Sequence, residues 1–154
     1  MTRSEASDAL ENFRMNPWEF QLTFETPLKN LQHFVKTILD ALELLIGASV
    51  TIDLVVFEPR DFIGMLASHS IPPTYERGVC LTATDRLEIE ELLRVTLSEW
   101  IDFLFVPEPS QFVIYADHDE FTTFYAHTRL TLDRVAKALL EQGFKMDANY
   151  ERRF

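Results

Sequence analysis

Residues 112–126, FVIYADHDEFTTFYA, decide the fold class: two aromatic and β-branched runs flank four consecutive polar residues, Asp117, His118, Asp119 and Glu120. Such side chains favour the pleated strand, and a short polar break between two such runs marks a β-hairpin. A hairpin makes its strands antiparallel, because parallel neighbours need a long crossover. With a loop of two or four residues, Ala116 is expected opposite Phe121, Ile114 opposite Thr123 and Phe112 opposite Tyr125. Phe121, Thr123, Tyr125 and His127 then share one face, expected to lie under the last helix.

That helix follows directly. Leu132, Val135, Ala136, Leu139 and Leu140 recur at helical spacing, with Thr128 as a cap ahead and Gly143 as a stop behind. Residues 144–150 suit a short final strand. Upstream, Pro107 and Pro109 interrupt the chain. Before them Asp85 and Glu88 form a capping-box pair, followed by an apolar stripe, Ile89, Leu92, Leu93, Leu97, Trp100, Ile101 and Leu104. Its far end is ambiguous, since residues 103–106 also suit a strand.

Towards the N-terminus, Trp18, Phe20, Leu22 and Phe24 alternate with polar residues, the period of a strand buried on one face. Thr26 and Pro27 then resemble a helix start, Leu31 to Ile46 carries helical spacing, and Gly47 is expected to end the helix. Residues 50–57 and 79–82 suit strands. Between them, residues 58–78 form a long irregular segment in which residues 61–68 can supply one helical turn or two. The reading is one α+β domain over residues 17–154, preceded by an arm or frayed helix at residues 1–16. Its sheet is mixed or largely antiparallel, with about three main helices packed on one face as a two-layer sandwich.

Composition narrows the function. The 154 residues hold 25 Asp and Glu against 14 Lys and Arg, a net charge of −11. Nucleic-acid backbones and anionic membrane surfaces repel such a chain, so neither is an expected partner. The single cysteine, Cys80, excludes an internal disulfide, and no apolar leader is visible, so a cytoplasmic location is expected.

The sharpest chemical feature is the run Asp117, His118, Asp119 and Glu120, whose side chains can bind metals or move protons. Neighbours on an extended chain point to opposite faces, so the run offers an ion only about two ligands, and no metal or cofactor is expected. A solvated turn explains the same residues. Cys80 with His69 or His127 has the residue types of a nucleophile and base, but no local signature accompanies them. The phosphate-loop, serine-hydrolase and zinc motifs are absent, which favours a non-catalytic role.

The leading expectation is therefore an acidic protein-binding domain, an inhibitor, immunity-type or adaptor protein, that meets a protein partner of basic character. It would use its acidic surface and the 58–78 segment, with His69, Tyr75, Asp117, His118, Asp119 and Glu120 as candidate contacts. The alternative is a small enzyme or ligand sensor with a pocket between the sheet and that segment. A homodimer is compatible with either.

Overall fold

The computed structural model describes residues 1–4, 8–152 and 154. In chain order the elements are β1 (Thr2–Ser4), α1 (Ala9–Met15), β2 (Phe20–Glu25), α2 (Leu31–Asp40), β3 (Gly47–Val55), α3 (Arg60–Ser68), β4 (Cys80–Ala83), α4 (Arg86–Ser98), β5 (Ile101–Glu108), β6 (Val113–Ala116), β7 (Phe121–Ala126), α5 (Arg129–Glu141) and β8 (Met146–Asp147). The strands form one sheet in the order β1-β4-β3-β5-β6-β7-β2-β8, with every neighbouring pair antiparallel. This is the α+β architecture that the hairpin implies.

Strand alternation sorts the core into two clusters. Phe103 and Phe105 of β5 join Ile52, Ile114 and Phe124 beneath α2, α3, α4 and α5. Leu104, between them, faces the other way and meets Val113, Tyr115, Tyr125 and the α1 residues Leu10 and Phe13. Helices therefore cover both faces. The stretch expected as an arm or frayed helix supplies β1 and α1, and α1 covers the second face with two side chains three residues apart. A helix of seven residues is too short to show periodicity in sequence.

Three local expectations change. The second helix stops at Asp40 instead of Ile46, and Ile46 N–H donates to the Glu108 carbonyl at 2.8 Å, already part of the ladder. Gly47 therefore opens β3 instead of ending a helix. A Cβ there would lie 3.3 Å from the Ala83 carbonyl oxygen, so the neighbouring strand, not a left-handed turn, favours glycine. Thr26 caps no helix; its hydroxyl lies 2.7 Å from that of Thr122, and a 3-10 turn at Leu28–Asn30 leads into α2. The stripe after Asp85 breaks at Ser98, and Ile101 and Leu104 belong to β5. Asp85 itself caps α4, its carboxylate accepting from the N–H groups of Leu87 and Glu88.

The hairpin register differs from the expected one by a residue. Ala116 stands opposite Thr122, Ile114 opposite Phe124 and Val113 opposite Tyr125. Asp117 N–H donates to the Phe121 carbonyl at 3.1 Å, closing a loop of three residues, His118 to Glu120, with Glu120 at φ 68°. An odd loop moves every partner by one position. Tyr125 consequently packs beneath α1, not α5, and His127 stacks on Trp18 at 4.7 Å between centroids.

Candidate functional site

The sheet is covered on both faces but open at one end. Val55 pairs with Ile101 at the limit of the β3–β5 ladder, so Val56, Phe57 and Glu58 run on past the strands. Opposite them α4 turns into β5 through Ser98, Glu99 and Trp100, with Trp100 at φ 60°. A bulky side chain in the left-handed region is a backbone outlier that costs on the order of 1–3 kcal/mol and is characteristic of functional sites. His118, the first residue of the hairpin loop, completes a groove of about 620 Å³ lined by these seven residues. Val56 and Phe57 are 44% and 60% exposed there, and the adjacent Leu54 is 49% exposed.

His118 is held firmly in place. Its backbone N–H donates to Asp102 Oδ1 at 2.7 Å, and its ring Nδ1 lies 2.8 Å from the same oxygen. Asp102 is buried on β5, and as a carboxylate it can only accept, so Nδ1 carries the proton and neutral His118 is left with a bare Nε2. The Asp102 bond raises the His118 pKa above its ordinary 6.5, against a smaller effect of burial. Across the groove, burial pushes the Glu99 carboxyl up, while its Oε1 accepts from Asp61 N–H at 3.2 Å.

The remaining polar residues of the hairpin tip have other roles. Asp117 is buried; its Oδ1 accepts from the N–H groups of Asp119 and Phe121 and shapes the loop. Its Oδ2 accepts from Tyr150 Oη at 2.9 Å and pairs with Arg152. Arg152 also lies over the Tyr115 ring, 4.7 Å from its centroid. Asp117 is therefore structural. Asp119 is 72% exposed, with Oδ1 3.9 Å from His118 Nε2. Glu120 is exposed in the left-handed position.

The candidate residues do not converge on one site. His69 ends α3 between two carboxylates of α4, with Nδ1 3.4 Å from Glu88 and Nε2 3.6 Å from Glu91. Tyr75 lies partly exposed in the loop before β4. Cys80 stands on β4 opposite Thr51, while His127 is engaged with Trp18. Of the expected contacts only His118 lines the groove, and of the 58–78 segment only Glu58 does. Sequence reading missed Asp102, Glu99, Trp100, Val56 and Phe57. A signal for Asp102 was present, a lone carboxylate between apolar residues in a run otherwise suited to a buried strand.

Among the described residues no group of three or more His, Cys, Asp or Glu side chains is placed to hold a metal ion. Likewise none of their helices is long and apolar enough to cross a membrane. Comparisons with protein-family models, with curated proteins and with solved structures find no match to this chain.

Proposed function

We propose that the protein is a non-catalytic binding module that holds a basic protein partner through the groove at the end of its sheet. The observation that carries this reading is the exposed apolar wall of Val56 and Phe57, set beside the carboxylates of Glu58 and Glu99. Exposed apolar side chains grouped at a concave surface mark interaction sites, and a chain of net charge −11 steers basic partners towards it. Ser98 offers no activated nucleophile, because its hydroxyl donates to the Val95 carbonyl at 2.8 Å.

Trp100 provides the assay. With Trp18→Phe removing the other indole, Trp100 emission reports occupancy as synthetic peptides alternating Arg or Lys with Leu are added. Basic peptides should shift the emission and acidic counterparts should not, and Phe57→Ser should weaken the response without unfolding the protein. Equal responses to acidic and basic peptides, or none, refute the proposal.

The Asp102–His118 pair favours a second reading, a small enzyme or ligand sensor in which His118 Nε2 accepts a proton from a small molecule in the same groove. A thermal shift induced by a small molecule and lost in His118→Asn supports it; absence of any such ligand across a broad screen counts against it.

A further inference from the structure

We infer that the His118 end of the groove seats the guanidinium of a partner's arginine side chain, and that it does so when His118 is neutral. This rests on the binding reading above and specifies the residue that the partner inserts.

Glu58 and Glu99 present carboxylates, and the Glu58 carboxylate lies 4.0 Å from Arg60 Nε, a loose contact with both side chains well exposed. The Ser98 hydroxyl hydrogen is committed to Val95, which leaves its lone pairs. His118 gives Nδ1–H to Asp102 and keeps a bare Nε2, 3.9 Å from Asp119 Oδ1. Apart from the Trp100 indole N–H, every polar side-chain group lining the groove is an acceptor. The matching ligand is all donor. Arginine carries five N–H groups and no acceptor, lysine three. Trp100 and Phe57 decide between them, since a planar, weakly hydrated guanidinium stacks on aromatic faces better than a strongly hydrated ammonium.

Protonation of His118 reverses this match, because Nε2 becomes a donor and adds a positive charge. Asp102 from β5 and Asp119 from its own loop lie against the ring, Glu58 and Glu99 line the same groove, and the charge of Arg152 acts on Asp102. The Asp102 bond favours the protonated ring, so the loss of affinity sets in above the pH at which an ordinary histidine titrates. Affinity is highest on the alkaline side and falls as the pH drops.

The test is calorimetric titration with one short Leu-rich peptide made in arginine, lysine and citrulline versions, citrulline being the neutral isostere. Arginine should bind tightest, lysine several-fold more weakly, and citrulline at least about tenfold more weakly. Between about pH 8.5 and about pH 5.5 the arginine peptide should lose about tenfold in affinity on the wild type, and His118→Asn should flatten that dependence. Equal binding of arginine and citrulline, or the same pH loss in His118→Asn, overturns the inference. If citrulline binds as well as arginine while Phe57→Ser abolishes both, the groove still docks a partner and only the arginine assignment falls. If no version binds, the docking reading falls and the inference with it.

Discussion

Asp53 sits in a bulge of β3, where the register with β5 shifts between Ile52 and Leu54, and its carboxylate turns towards the α1 face. Oδ2 accepts from Arg14 Nη2 at 2.7 Å and from the Tyr115 hydroxyl at 2.6 Å; Oδ1 accepts from Arg77 Nε at 2.8 Å. Burial raises the Asp53 pKa, but the bonds from Arg77 and Tyr115 and the charges of Arg14 and Arg77 outweigh it, so the net shift is below the ordinary 3.8. Asp53→Ala removes one acceptor from three donors that differ in how they recover. Arg77 is 57% and Arg14 35% exposed, so water largely replaces what they lose. Tyr115 is 3% exposed, so its hydroxyl is left without a partner. An unsatisfied buried donor costs about 1–3 kcal/mol, and the orphaned hydroxyl sets the expected loss at about 2 kcal/mol. Urea unfolding followed by circular dichroism at neutral pH measures the loss. The decisive comparison repeats the substitution in a Tyr115→Phe background, where no hydroxyl remains to be orphaned and the cost should fall by about 1–2 kcal/mol. An identical cost in both backgrounds refutes the reasoning. The pH dependence has a definite sign: with a depressed folded pKa, the Asp53 contribution is complete above 3.8 and disappears as the pH falls through the folded value. Asp53→Asn should flatten that acid-side loss.

Two further outcomes follow from the hairpin tip. Glu120 holds φ 68°, so Glu120→Gly should raise stability by about 0.5 kcal/mol and Glu120→Val should lower it by about 1 kcal/mol, both read from urea midpoints; a destabilising glycine would contradict the assigned turn. In Asp102→Asn, His118 should titrate closer to 6.5, followed by NMR of its ring protons. Because the folded His118 pKa is raised, its contribution to stability is complete below 6.5 and is lost as the pH rises through the folded value, so the variant should lose that slope; an unmoved titration would remove Asp102 as its cause.

How much of this was legible in sequence depended on the range of the interaction. Local patterns carried the α+β class, the hairpin, α5 and the cap of α4, because turn chemistry, side-chain period and a carboxylate two residues before an N–H act over short separations. Where several local readings competed, tertiary partners decided. Gly47 resembles a helix stop until Ala83 lies against it, and Thr26 resembles a cap until Thr122 takes its hydroxyl. The hairpin register turned on loop parity, which Asp117 sets by accepting from two backbone N–H groups. The groove itself was the least visible. His118 belonged to a conspicuous run, but Asp102 is sixteen residues away and Val56 and Phe57 are read in sequence as part of a strand.

The groove stays open for a reason contained in the same geometry. α1 has seven residues, about 10 Å of helix, enough to cover Leu104, Val113, Tyr115 and Tyr125 in mid-sheet but not the strand ends beyond Asp53. On the other face α4 stops at Ser98, before it can cover the residues that follow β3. Burying a phenylalanine side chain fully is worth about 1.5–3 kcal/mol, and Phe57, at 60% exposure, leaves much of that unrealised in the free chain. A side chain that contributes little to folding can still contribute to association. Substituting it therefore separates the two: Phe57→Ser should leave the unfolding midpoint nearly unchanged and weaken peptide binding, whereas a large loss of stability would place Phe57 in the core and remove it from the proposed surface.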